Sequence, residues 1–236
     1  MDNRFANESV REYLEQLGSG TPTPGGGAAA ALSSAQGAAL IMMVANHAIN
    51  NDKYAEFADL NTKIRDEASS LRERLLAGMD RDAECFDKVM AAYILPNTIA
   101  GSNERYLATL RAFLQYNGIG SELTDQDVAD ARMASLASAS VEAAKAPLAV
   151  MEESHRGLEL AKILLDTSGS NFKSDVYTAA LSLSAGLSSA GYMVAANLPA
   201  IRRTDPGLAD RLSLRSQTLR AESEILLREI LNNQSS

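Results

Sequence analysis

The 236-residue chain has one cysteine, two histidines and no run of basic residues, and each scarcity removes a class of function. A lone Cys85 cannot close an internal disulfide, so the chain suits a reducing cytoplasmic compartment. His47 and His155 stand outside any HExxH or CxxC pattern, and no metal site is expected from them. With 22 Lys and Arg against 30 Asp and Glu the formal charge is -8, which argues against a nucleic-acid partner held by charge. The first residues are mixed and polar, without an apolar signal core. Strand-like alternation, internal repeats and low-complexity tails do not stand out either. The length suffices for a substantial core, and the expected fold class is all-α, a single-domain helical bundle over residues 1–236 with two uncharged central helices.

The first uncharged stretch, residues 21–51, organises the rest. Thr21-Pro22-Thr23-Pro24 stops any upstream helix, Gly25-Gly26-Gly27 turns the chain, and a small-residue helix runs on to about Ile49. At that helix start the unpaired N–H groups and the dipole suit an electron-rich ligand atom, although close helix packing uses the same glycines. The turn lacks the Lys-Ser/Thr ending of a P-loop and follows no strand, so nucleotide binding is unsupported. Length would let residues 28–49 span a membrane, but Ser33, Ser34, Gln36, Asn46 and His47 lie within, without charged flanks, and no membrane partner is expected. Ala28, Leu32, Ala35, Ala39, Met42, Asn46 and Ile49 recur at spacings of four and three, which predicts the buried face and places Asn46 on it as a structural clamp or a ligand contact. Ser33-Ser34 and Ser188-Ser189 read as packing residues in alanine-rich helices.

Upstream, Val10, Tyr13, Leu14 and Leu17 form one side of a short helix over residues 9–17 that ends at Gly18. Downstream, Leu60, Ile64, Ala68, Leu71, Leu75, Met79, Asp82, Phe86, Val89 and Tyr93 step by three or four, predicting one long helix or two broken near Gly78. Asp82 stands where the stripe expects an apolar residue. A carboxylate there is costly unless paired, hydrogen-bonded or protonated, and such a group suits acid–base work; the plainer reading is an ion pair with an arginine or a solvated slot. Asp80, Glu84 and Asp87 read as solvated face, and Cys85 as inert and off the stripe.

Leu95-Pro96-Asn97 ends that helix. A helix over 104–116 and a loop at Asn117-Gly118-Ile119-Gly120-Ser121 follow, and then Thr124 is an N-cap with Asp125 and Asp127 in the first turn. The pattern predicts a helix to about Lys145, another from Pro147 to about Asp166, and a turn over 168–175. A second uncharged helix then covers 176–201, with Ser174 and Asp175 as capping residues and Leu198-Pro199 as its end. Asn197 lies on the stripe of Val176, Ala180, Leu183, Leu187, Ala190 and Val194. A last helix runs from Leu208 to about Leu231.

In order along the chain, Pro22-Thr23-Pro24-Gly25-Gly26-Gly27-Ala28-Ala29-Ala30, Met43-Val44-Ala45-Asn46, Lys53-Tyr54, residues 82–93, Leu95-Pro96, Ala146-Pro147-Leu148, Asn171-Phe172-Lys173-Ser174-Asp175 and Asn197-Leu198-Pro199 carry a resemblance. Together they resemble the cyclodeaminase/cyclohydrolase family. Its members include the C-terminal domain of formiminotransferase-cyclodeaminase and stand-alone bacterial methenyltetrahydrofolate cyclohydrolases. The resemblance implies a homodimer with a folate cleft and a one-carbon unit at N5 and N10 of tetrahydrofolate, with no cofactor beyond that carrier. It implies hydrolysis of the methenyl form to 10-formyltetrahydrofolate, or cyclisation of the formimino form with loss of ammonia. It casts Asp82 as acid/base and Asp175 as a second carboxylate. Pro24, Gly25, Gly26, Gly27, Asn46, Lys53, Asn171, Ser174 and Asn197 become substrate contacts. Asn50-Asn51 and Asn97 replace cations of the family pattern, and the 98–125 connection is longer, reading as an insertion. A diverged relative that binds folate or another metabolite without turnover is the alternative from a different class.

Overall fold

The computed structural model describes residues 5–117 and 122–232. Among them are seven α-helices and three short 3-10 turns: α1 Val10–Leu17, α2 Gly26–Ile49, α3 Ala58–Tyr93, α4 Glu104–Tyr116, α5 Asp125–Thr167, α6 Lys173–Arg202 and α7 Pro206–Asn232. No strand occurs among the described residues, in line with the expected all-α class. Of the loop expected at 117–121, residues 118–121 lie outside the described part.

Helices α2, α3, α5 and α6 pack on one another around the main core, and α7 lies across α5 and α6. Small residues set the closeness of that packing. A Cβ on Gly186 of α6 would meet Ser34 Oγ and the Ala30 carbonyl of α2, so only glycine allows this approach. Gly26 beside Met193, Gly37 beside Leu183 and His47 stacked on Phe172 show that α2 and α6 run antiparallel. The serines of these helices do more than fill space: buried Ser34 hydrogen-bonds Ser154 Oγ of α5 at 2.7 Å, and Ser33 Oγ donates to the Ser182 carbonyl at 3.0 Å. At the other end, buried Asn61 of α3 donates to the Thr167 carbonyl and accepts from its hydroxyl, both at 2.9 Å.

Several expectations are overturned. The helices foreseen on either side of Pro147 are one helix, α5. Proline has no N–H to offer the Ala143 carbonyl one turn back, but Asn197 Nδ2 of α6 donates to that oxygen at 3.2 Å. The break is thereby repaired from outside. Pro199 likewise sits inside α6, which continues to Arg202 instead of ending at Leu198-Pro199. Ser174 and Asp175 fall within the first turn of α6, whose N-cap is Phe172 without a side-chain hydrogen bond, so neither residue caps it.

The buried face of α2 also differs from the expected stripe. Gly27, Ala30, Ala31, Ser34, Gly37, Ala38, Ile41, Val44, Ala45 and Ala48 face inward with Ala28 and Ala35, while Ala39 and Asn46 are exposed. This helix is apolar nearly all round, so periodicity identifies no side, and the smallest residues take the closest contacts. On α1, Tyr13 is 3% exposed but Val10 and Leu14 are 74% and 55% exposed, because a single ring anchors this surface helix. Of the remaining α3 stripe, Leu60 and Tyr93 are exposed. Cys85 is buried, not off the inner side, and Asp80 accepts from the Phe5 amide at 2.7 Å where a solvated residue was expected.

The chain between α3 and α5 builds a satellite core of its own. Leu107 and Leu110 of α4 pack with Val128, Ile99 and Leu123, apart from the main cluster. As expected, Thr124 caps α5 in a reciprocal box with Asp127. Helices α2 and α6 are long and apolar enough to cross a membrane by length and composition alone. In the fold, both instead pack into the helical core.

Candidate active site

The glycine turn brings α2 into the bundle with no cap of its own. Gly25 is the N-cap and can offer no side-chain acceptor, so the first amides of the helix depend on outside partners. Asp82 of α3 supplies one, its Oδ2 accepting from the Ala28 amide at 3.1 Å. The carboxyl lies so close above Gly27 that a Cβ there would overlap both of its oxygens. Of the three glycines, this is the one whose missing Cβ lets the carboxyl sit where it does.

Burial raises the proton affinity of Asp82 above that of an ordinary carboxylate, and the Ala28 hydrogen bond offsets part of that rise. No Lys or Arg forms an ion pair with it among the described residues; neighbouring Arg81 reaches toward Glu142 instead, at 3.8 Å. Both plainer readings of this residue, an arginine pair and a solvated slot, therefore give way to a half-buried carboxyl bonded to a helix amide.

Asp82 opens on a hollow of about 190 Å³ lined by the glycine turn, Phe86 and Val89 of α3, Ala143 of α5, and Met193 and Asn197 of α6. Asn197 commits both amide hydrogens, to the Ala143 carbonyl and, at 2.9 Å, to the Met193 carbonyl. Only its Oδ1 remains to serve a ligand. Buried Pro24 follows a cis Thr23–Pro24 bond and leads directly into the turn. Cys85 borders the hollow too, and burial pushes its thiol proton affinity up, which keeps it protonated and unreactive.

The remaining expected site residues lie elsewhere. Asn46 is exposed near the far end of α2, beside a surface hollow of about 400 Å³ that also takes in Met42, Met43, His47, Asn50 and Arg72. At a rise of 1.5 Å per residue, roughly 30 Å of helix separates Asn46 from Gly27. Lys53 is exposed, its Nζ 5.5 Å from the ring of Tyr54, and Tyr54 abuts Gly169 ahead of Asn171. Ser174 and Asp175 open α6 at that same end, again roughly 30 Å along a helix from Asn197. One chain thus gathers Gly25, Gly26, Gly27, Asp82 and Asn197 at one end. Asn46, Lys53, Asn171, Ser174 and Asp175 stand at the other.

Sequence reasoning missed Met193 and Ala143 as lining residues and Arg72 as the cation beside Asn46. The signal for Arg72 was its place on α3, one turn before Leu75 and off the buried stripe. Met193 and Ala143 carry no local signal. Among the described residues no three His, Cys, Asp or Glu side chains gather in a way that could hold a metal ion.

Comparison with known proteins gives concordant results. A family model described as formiminotransferase-cyclodeaminase matches residues 9–117 and 111–217. A methenyltetrahydrofolate cyclohydrolase of Methylorubrum extorquens is 34% identical over 192 residues, covering 81% of this chain and 79% of the relative. The crystal structure of formiminotetrahydrofolate cyclodeaminase from Thermotoga maritima superposes with a TM-score of 0.76 at 23% identity, over 95% of this chain and 94% of that one.

Proposed function

Because the chain belongs to the formiminotransferase-cyclodeaminase family, we propose that it is a one-carbon folate enzyme that hydrolyses 5,10-methenyltetrahydrofolate to 10-formyltetrahydrofolate. The observation that carries this reading is the Asp82 carboxyl, with its raised proton affinity, held against the amide end of α2 at the edge of a small hollow. Water adds to the methenyl carbon, and Asp82 takes one of its protons. As the bond from that carbon to N5 opens, N5 takes a proton from Asp82. The adduct's hydroxyl proton leaves to solvent as its oxygen becomes the formyl carbonyl, so one proton is released overall. The Gly26 and Gly27 amides, at the uncapped start of α2, would steady the oxygen of the tetrahedral adduct. Asn197 Oδ1 can accept from a ring N–H of the pterin.

A second reading is cyclisation of the formimino derivative with release of ammonia. It needs the same proton transfer, and the relative whose crystal structure shares this fold is named for it. The hydrolysis is preferred on the 34% identity to a cyclohydrolase.

The protein works in this reading as a homodimer. A hollow of about 190 Å³ is smaller than the 300–1,000 Å³ usual for small-molecule sites, so it holds one end of the substrate. The middles of antiparallel α2 and α6 carry no charged side chain of their own and present a face on which Gln36, Ala39, Leu181, Ala185 and Tyr192 are exposed, flanked by Arg72 of α3 beside Ala39 and Arg220 of α7 over the Tyr192 ring. A two-fold axis across that face reverses the partner end for end. It would carry the partner copy's far-end group of asparagines and Asp175 toward this copy's Asp82. Arg72 and Lys53 come with that group and can meet the substrate's glutamate carboxylates. The lone buried cysteine supports a reducing cytoplasmic setting.

The test is the loss of methenyltetrahydrofolate absorbance on adding purified protein, with Asp82→Asn as control and ammonia release from formiminotetrahydrofolate measured in parallel. Decay abolished by the substitution is expected. Ammonia release without methenyl decay would replace hydrolysis by deamination, and turnover unchanged in Asp82→Asn would overturn the role of the carboxyl.

A further inference from the structure

Tyr13 is the anchor of α1, 3% exposed, within the cluster that also holds Ala28 and Met79. Its hydroxyl oxygen is buried and has no hydrogen-bond partner among the described residues. A buried hydroxyl left unpaired is destabilising, and phenylalanine would fill the same space without that cost. The oxygen therefore calls for a role beyond packing.

Burial raises the proton affinity of the phenol, and the negative charge of Asp82 adds to that rise, so Tyr13 stays a neutral donor across the working pH range. Among the described residues, Asp82 in turn has one hydrogen-bond donor, the Ala28 amide. When it gives up its proton, a half-buried negative charge is left with one stabilising partner.

We infer that Tyr13 is a positioning residue of this site, its hydroxyl serving the ionised Asp82 carboxylate as a second donor across one bridging water. A water with two polar partners in a buried slot is an ordinary structural element. Other elements around Asp82 contribute no competing charge to it. Helix α2 presents only amides and α6 the neutral Asn197, while Arg81 and Lys88 of α3 and Glu142 of α5 act on the neighbouring Cys85 thiol. The sequence pattern puts Tyr13 simply on the apolar side of a short helix.

This inference rests on Asp82 being the proton-transfer group, and its test has one arm that needs no turnover. Thermal melts of wild type, Tyr13→Phe, Asp82→Asn and the double variant are compared between pH 4.5 and 8. If the hydroxyl supports the carboxylate, Tyr13→Phe loses stability relative to wild type as pH rises, and this pH dependence vanishes in the Asp82→Asn background. A Tyr13→Phe offset that is constant with pH, or one that survives Asp82→Asn, would overturn the inference. In the kinetic arm, Tyr13→Phe is expected to lower kcat roughly 10-fold with little change in KM and to move the acidic limb of the pH profile upward. A profile identical to wild type sinks the proposal. Lack of activity in the wild type would strike the folate reading alone, because the melts still report whether the two residues are coupled.

Discussion

Asp82 caps a helix to which it does not belong: its Oδ2 accepts the Ala28 amide at 3.1 Å, and Gly27 has no side chain to hold the two helices apart. The carboxyl that would carry the chemistry is thus also a structural element of the glycine turn. The two uses make different demands. Capping needs an acceptor at any pH, whereas proton transfer needs a group that changes charge.

Asp82→Asn separates them. The amide oxygen can still accept from Ala28, so the fold should persist while activity falls by at least 100-fold. The folded carboxyl has raised proton affinity, so its contribution to stability is full below the pKa of the unfolded chain and is lost as pH rises through the folded value. The substitution removes that loss. Its melting temperature should match wild type near pH 4 and exceed it at neutral pH. Differential scanning calorimetry across pH checks the sign.

Gly27→Ala tests the close approach. The atoms a new Cβ would strike are the far end of a side chain, so Asp82 can swing away at modest cost to stability. We expect a loss of about 1–2 kcal/mol from the broken cap, with a fall in kcat as large as that of Asp82→Asn. Retention of more than a tenth of the activity would show that the carboxyl's position does not matter.

Asn197→Ala strands the Ala143 carbonyl, and should cost roughly 1–3 kcal/mol. Pro147→Ala supplies the missing N–H within α5, so the double variant should recover part of that stability. Urea melts of the two single variants and the double variant measure this coupling, and strict additivity would refute it.

Mixing subunits tests the homodimer. If Asp175 acts on the partner copy's Asp82 site, Asp82→Asn and Asp175→Asn chains, each inactive alone, should together regain about a quarter of wild-type activity, because half of a random mixture is mixed dimers with one intact site. Light scattering at the assay concentration verifies the assembly. A mixture as inactive as its parts would refute a site shared between copies.

Asp82 was legible in the sequence because one charged residue interrupted a long apolar stripe on α3. The glycine turn was legible for a similar reason, as three flexible residues at the head of a helix. Asn46 was misplaced because α2 is apolar and small on every side, so several faces satisfy the same spacing. The continuity of α5 through Pro147 could not be read locally either, since the group that repairs it comes from Asn197 on another helix. In the sequence Tyr13 looks like any anchoring ring; an unpaired buried hydroxyl within reach of the Asp82 charge is visible only in the fold.

Proline at 147 turns one carbonyl of α5 into a socket, and the Asn197 amide is the peg that fits it. A slide of α6 by a single turn would pull the peg out and carry its oxygen past the rim of the hollow. Rigid alignment of two long rods is thereby tied to the height at which a substrate would meet an acceptor, so an engineered change in one of these residues has to be matched at the other.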